Sequence, residues 1–189
     1  MTEKEKMLKG LLYDANYDAQ LLDERAHAKS LCFSFNHLAP QDTSKRQSIL
    51  RELFGKTPEH FFVEQPFYCD YGYHIEIGEN FFANHNCIIL DAAKVIFKNN
   101  VFVGPNCSFY TAGHPLDPDQ RACGLEYARP ITVGNNVWIG GNVVVLPGVT
   151  IGDHSVIGAG SVVTHDIPSG VLAVGNPCRI VRSIHSEPG

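Results

Sequence analysis

A histidine stands between a glycine and a proline in TAGHPLD, residues 111–117, and an acidic residue, Glu126, follows in LEYARPI of the same charged stretch. Imidazole titrates near neutrality, so His114 is suited to take a proton from an attacking group and return it to a departing one. Glu126 has two uses open to it, orienting that imidazole or binding an acceptor. The six cysteines, at 32, 69, 87, 107, 123 and 178, contain no CxxC pair, which argues against a zinc knuckle or a redox motif and for buried or incidental thiols.

A hexapeptide period sets the elements that must hold these groups. Val133, Ile139, Val145, Ile151, Ile157 and Val163 recur at every sixth position, usually followed by Gly (134, 140, 152, 158). Small or β-branched residues fall four places on, at Val137, Val143, Val149, Ser155 and Ser161. Six is not a helical period. It describes a short strand with one inward aliphatic, a glycine for a positive-φ corner, and a second small inward residue. Three such units close one triangular coil, and stacked coils pair every backbone group with the coil below, which gives a mainly β fold, a parallel β-helix. Upstream, Ile77, Ala83 and Ile89 keep one frame and Phe97, Val103 and Phe109 another, with a two-residue slip near 91–94. Between Phe109 and Val133 the period vanishes, so residues 110–130 read as a loop thrown out from the coil, and that loop carries His114.

The first 65 residues lack the period. Leu21, Leu22, Arg25, Ala28 and Cys32 lie near helical spacing, and Thr43 or Ser44 is placed to cap a second helix carrying Ile49, Leu50, Leu53 and Phe54, with Gly55 past its end. The expected organisation is a helical segment, 1–65, covering the open end of a β-helix, 66–189, whose tail runs from 169. Net charge is −5 and sequence pI near 6.0, with no basic face of the kind nucleic acid needs. Residues 130–152 are uncharged and long enough to span a bilayer, but their glycines, asparagines and Pro147 mark them as coil, so no membrane contact is expected. MTEKEKMLKG has no apolar export signal, and a cytoplasmic location is expected.

KGLLYD, FNH at 35–37, YGYHIEIGEN at 71–80, TAGHP, ITVGNNVWIGGNVVVLPGVTIG, VIGAGSVVTHDIP and GNPCRIVR together resemble the maltose and galactoside O-acetyltransferases, within the hexapeptide-repeat acyltransferases. The resemblance implies a left-handed coil, a homotrimer with active sites between subunits, acetyl-CoA as co-substrate and no metal. It implies acetyl transfer to a sugar hydroxyl with His114 as general base. It places the backbone N–H of Gly141, where relatives commonly have serine, on the thioester oxygen; a glycine keeps that donor. Trp138 is expected to point outward and either line the carrier slot or pack at an interface. For coenzyme A the resemblance implies Ala159 on the pantetheine arm, Thr164 and His165, which stands where relatives often have lysine, near the nucleotide, and Arg179 and Arg182 on phosphate. For the acceptor it implies Asp14, Asp70 and Asn84, with no cation among them. Asp91-Ala92 replaces the paired aspartates of the galactoside enzymes and Phe82 replaces a tyrosine, so a maltose- or glucose-like acceptor is favoured over a galactoside. The rival functions are N-acetylation of an amine and a non-catalytic trimeric scaffold. Zinc hydration on the same coil needs two histidines five positions apart, which this sequence lacks.

Overall fold

The structure, a computed structural model, describes residues 1–184, so the last five residues of the expected tail lie outside it. Strands of two to four residues wind into a coil with three flat faces. The first face stacks Phe61–Val63, Phe81–Ala83, Phe102–Val103, Trp138–Ile139, Val156–Ile157 and Val171–Val174 in parallel, and Arg179–Ser183 closes it antiparallel. The second face stacks Phe67–Cys69, Cys87–Leu90, Ser108–Tyr110, Val144–Val145 and Val162–Val163. The third stacks Ile75–Ile77, Val95–Phe97, Ile131–Val133 and Thr150–Ile151.

The six-residue period is the reason for this shape. Val133, Ile139, Val145, Ile151, Ile157 and Val163 are each 0 % exposed and form the inner column. The smaller inward positions fill the corners; Ser155 Oγ donates to Pro168 O at 2.8 Å and Ser161 Oγ to Gly158 O at 2.6 Å, so these buried hydroxyls are satisfied. The expected positive-φ glycine is corrected at this point. The left-handed corner positions are held mostly by asparagine, Asn80, Asn100 and Asn136 at one edge and Asn86, Asn106 and Asn142 at another. Their amides stack, Asn80 Nδ2 donating to Asn100 Oδ1 and Asn100 Nδ2 to Asn136 Oδ1, both at 2.9 Å. The repeat glycines serve close approach instead: a Cβ on Gly140 would lie 2.6 Å from Ala159 N of the next coil.

Three helices, α1 (Glu3–Leu8), α2 (Ala19–Asn36) and α3 (Thr43–Leu53), precede the coil. The Asp18 carboxylate accepts from Leu21 N and starts α2, which buries Leu21, Ala28, Cys32 and Phe35. Leu22, expected inward, is 42 % exposed, because one residue along a helix turns the side chain about 100° away from its neighbour. Asp42, and not Thr43 or Ser44, precedes the first turn of α3, without a side-chain capping bond. Leu50, Leu53 and the Cys32 face of α2 join the coil's core and close its lower end. The coil's first strand, Phe61–Val63, begins ahead of residue 66, and residues 13–14, expected within the helical segment, form a strand.

Candidate active site

The edge between the second and third faces is where the period breaks. Phe82 pairs with Phe102, twenty positions on, whereas Trp138 pairs with Val156, eighteen on. The two extra residues of each early coil fall at this edge, after Cys69 and after Leu90, and the segment 111–130 leaves from the same edge one coil later. Asp91, 0 % exposed, holds the widened corner: Oδ1 accepts from Asp70 N at 3.1 Å and Tyr71 N at 2.8 Å, and Oδ2 from His74 N at 3.3 Å. Burial, with the Asp70 carboxylate nearby, pushes its carboxyl up to about 6. Above it Thr111 Oγ1 donates to Leu90 O at 2.6 Å and accepts from Ala93 N at 3.0 Å, which fixes where the protruding segment starts.

That segment is ordered by pairing. Ala112–Gly113 and Leu125–Ala128 run antiparallel, with the short helix α4 (Pro118–Ala122) between them, and Tyr13–Asp14 pairs with the outer edge of Leu125–Ala128. Gly113 pairs with Tyr127, and a Cβ there would lie 2.5 Å from the Tyr127 hydroxyl, so a side chain before His114 would displace the tip of the Tyr127 ring. His114 Nδ1 lies 3.0 Å from Leu125 O; a carbonyl only accepts, so Nδ1 carries the proton and Nε2 presents its lone pair. Nε2 is 3.9 Å from Glu126 Oε1, too long for a hydrogen bond. The other carboxylate oxygen of Glu126 accepts from Tyr13 Oη at 3.0 Å, and Tyr13 is fully buried.

His114 and Glu126 line a cleft of about 360 Å³ with Asp70, Tyr110 and Arg25. Burial raises the Asp70 carboxyl, opposed by Arg25 and reinforced by Glu126. Arg25 adds a cation to this cleft that the expected acceptor set, Asp14, Asp70 and Asn84, did not include; on α2 it looked like one more helical position. Its guanidinium donates to Ala15 O, and against it stand two carboxylates, Asp70 and Glu126. Asp14 belongs to the strand beside this cleft, where its Oδ1 accepts from Asn16 N and Tyr17 N, both at 3.0 Å. Ala92 is 1 % exposed and packs with the buried cluster of Met7, Tyr13 and Leu21, not in the cleft. The Tyr13 strand and its bond to Glu126 had no signal in the sequence beyond the YD pair itself.

The other named residues lie elsewhere. Asn84 follows the strand Phe81–Ala83 at the edge between the first and second faces, its Oδ1 accepting from His85 N at 2.7 Å. Gly141 and Ala159 occupy the same edge higher up, stacked above Pro105, and among the described residues neither N–H meets an acceptor. Trp138, 58 % exposed, points outward from the first face beside Phe102. Within one chain the second face therefore separates His114 from Gly141, Ala159 and Asn84. Thr164 and His165 return to the His114 edge two coils above the loop, joined by a 2.8 Å contact between Thr164 Oγ1 and His165 Nδ1. Arg179 and Arg182 lie on the strand that closes the first face, Arg182 level with Leu172; Arg179 Nη1 donates to Cys178 O at 2.9 Å.

A three-faced β-helix with a helical cap and a histidine-bearing loop is the architecture of the hexapeptide-repeat acyltransferases, and residues 130–165 match the bacterial transferase hexapeptide model, six repeats. Residues 6–58 match the maltose acetyltransferase hexapeptide capping motif. A Saccharomyces cerevisiae protein named provisionally as an acetyltransferase is 54 % identical over 180 residues, 95 % of this chain and 92 % of that one. The crystal structure of a maltose O-acetyltransferase from Clostridium difficile 630 superposes with TM-score 0.96 at 53 % identity, covering 98 % of this chain and 99 % of that one. A galactoside acetyltransferase in complex with coenzyme A superposes with TM-score 0.94 at 45 % identity, covering 98 % and 92 %. The chain belongs to the maltose/galactoside O-acetyltransferase family.

Proposed function

We propose that this acetyltransferase moves the acetyl group of acetyl-CoA to a hydroxyl of a neutral sugar in the cytoplasm, with His114 as general base. The observation that carries the reading is the Nδ1–H bond of His114 to Leu125 O, which leaves Nε2 as a proton acceptor inside a cleft of hydroxyl-binding side chains. Nε2 takes the acceptor's proton as its oxygen attacks the thioester carbon. Glu126, held by Tyr13, stabilises the imidazolium, which then protonates the departing coenzyme A thiolate. The carbonyl oxygen, negative in the tetrahedral intermediate, needs donors that point outward before it arrives. The Gly141 N–H, without an acceptor among the described residues, supplies one, and the Ala159 N–H one coil above suits the pantetheine arm.

Those donors lie across the second face from His114, so a complete site takes them from a neighbouring copy. An exposed column on the first face, Phe102 at 51 % and Trp138 at 58 % with Phe62 stacked on Phe82 at 6.1 Å, supports close contact between copies and a homotrimer. Arg179 and Arg182 suit the coenzyme's phosphates. The paired negative charge of Asp70 and Glu126 against one Arg25 disfavours an acidic sugar, and Phe82 in place of the galactoside enzymes' tyrosine supports a glucoside such as maltose over a galactoside. The test is thiol release from acetyl-CoA across glucosides, galactosides and amines, with product mass to locate the acetyl group. A glucoside is expected to give the highest kcat/KM; an amine or galactoside in first place overturns the acceptor assignment.

A further inference from the structure

Two thiols meet where the helical cap joins the coil. Cys32 is on the buried side of α2, and Cys69 ends the strand Phe67–Cys69 of the first coil, with their Sγ atoms 3.7 Å apart. The proposed transfer uses neither. The remaining cysteines offer no similar pair at a junction: Cys87 and Cys107 lie inside adjacent coils, Cys178 is buried near the top of the coil, and Cys123 is exposed on the loop. Cys32 and Cys69 are 3 % and 6 % exposed, but both line a cleft of about 470 Å³ between α2 and the second face, floored by Phe33, Tyr68 and Asn36. A small oxidant entering that cleft reaches both sulfurs. Asp70, the next residue after Cys69, lines this cleft and also the one beneath His114.

We propose that Cys32 and Cys69 form a peroxide-responsive dithiol whose oxidation bonds the cap to the coil and displaces Asp70 in the acceptor cleft. The sulfurs already lie 3.7 Å apart within one buried cluster, so closing them to bonding distance takes a short approach between two segments already packed together. The hydrogen bond between them also divides their roles. It holds the Cys32 thiol below the ordinary cysteine range, while the same bond and burial push Cys69 up, so Cys32 is the first nucleophile. The Cys32 thiolate attacks a peroxide oxygen, forming S–O and breaking O–O; hydroxide leaves and takes the thiol proton as water. Cys69 sulfur then attacks Cys32 sulfur, forming S–S and breaking S–O, and the second hydroxide leaves as water with the Cys69 proton. Two thiols lose two electrons and one hydrogen peroxide becomes two waters.

The test is wild-type protein, whole and purified, treated with a small excess of hydrogen peroxide and digested without reductant. The expected result is a peptide pair linked through Cys32 and Cys69, two hydrogens lighter than its reduced form and restored by dithiothreitol. The enclosed chain of 37 positions raises the melting midpoint of the oxidised protein by roughly 5 °C or more. Its KM for the acceptor changes severalfold while its KM for acetyl-CoA does not. Cys32→Ser and Cys69→Ser each abolish the peroxide effects and leave reduced activity near wild type, whereas Cys123→Ser, which removes the exposed thiol, leaves the effects intact. Should either serine variant fail to fold, wild type with and without dithiothreitol supplies the same readouts. Finding only Cys123 oxidised, or a Cys32–Cys69 link that moves neither the midpoint nor the acceptor KM, overturns the proposal. Both outcomes are read on the thiols and the acceptor KM and do not depend on which sugar is the acceptor.

Discussion

The two edges of the second face are built from the same repeat and collect different groups. At the edge before it the six-residue period is kept, side chains shrink to Pro105, Gly141 and Ala159, and the backbone presents unpaired N–H groups outward. At the edge after it the period is broken by two extra residues per coil and then by a whole segment, and carboxylates and an imidazole collect there. A strict repeat can offer only what every coil has, its backbone. Acid–base side chains need positions that the repeat does not dictate, and the fold accommodates them by stacking its irregularities on one edge, each braced by the one below through Asp91 and Thr111.

If the broken edge carries the proton transfer, losing its imidazole has the largest effect. His114→Ala is expected to lower kcat by roughly 10²–10⁴ with acetyl-CoA binding little changed, measured by steady-state thiol release and by titration of the coenzyme. Near wild-type turnover in the folded variant would leave the edge without its catalytic role. The regular coils are expected to hold the carrier through their far end: losing Arg179 and Arg182 together should raise the KM for acetyl-CoA roughly 10–100-fold but barely touch a truncated pantetheine thioester. Equal losses for both donors would show that the arginines do not read phosphate.

The brace beneath the broken edge carries its own pH signature. Burial raises the Asp91 carboxyl to about 6 in the folded chain, above its unfolded value of 3.8, so its contribution to stability is full below pH 3.8 and is lost as pH rises through 6. Melting from pH 4 to 7 should show wild type losing on the order of 2 kcal/mol relative to Asp91→Asn across that window. Parallel curves would mean that the buried carboxyl is not strained by its site. The mildest expectation concerns the acceptor: Asp70→Ala should raise acceptor KM severalfold, the loss of one hydrogen bond of about 1 kcal/mol, and leave the KM for acetyl-CoA unchanged. A reversed pattern would put Asp70 on the carrier side.

What could be read from the sequence follows the same division. Val133 to Val163 announce the coil because each inward position repeats the demand of the last, and the loop shows itself as the place where that demand stops. The slip near Asp91 is visible as a frame change, but not that Asp91 is buried under the site, since a carboxylate at a corner usually faces water. TAGHP pointed to His114, and LEYARPI in the same loop to Glu126. Nothing pointed to Tyr13, whose two-residue strand has no periodicity and whose partner lies 113 positions away, or to Arg25, whose helical spacing suited a surface as well as a cleft. The asparagine corners were legible as residues and misjudged in role, because glycine is the commoner answer to positive φ and Asn answers it here with an added amide ladder.

The most direct test of the account is whether the two edges work across copies. Pro105 occupies the position equivalent to Gly141 one coil below, so a proline backbone suits this corner, with the new Cβ 3.3 Å from Pro105, and Gly141→Pro, which deletes the N–H, should lower kcat by roughly 10²–10³. Chains carrying His114→Ala and chains carrying Gly141→Pro are mixed, unfolded and refolded together, and thiol release is compared with each variant alone. In randomly mixed trimers whose sites join the broken edge of one copy to the regular edge of the next, about a quarter of the sites regain both intact partners, and about a quarter of wild-type activity returns. Activity no higher than the average of the two variants would place both edges in the same copy and contradict the shared site.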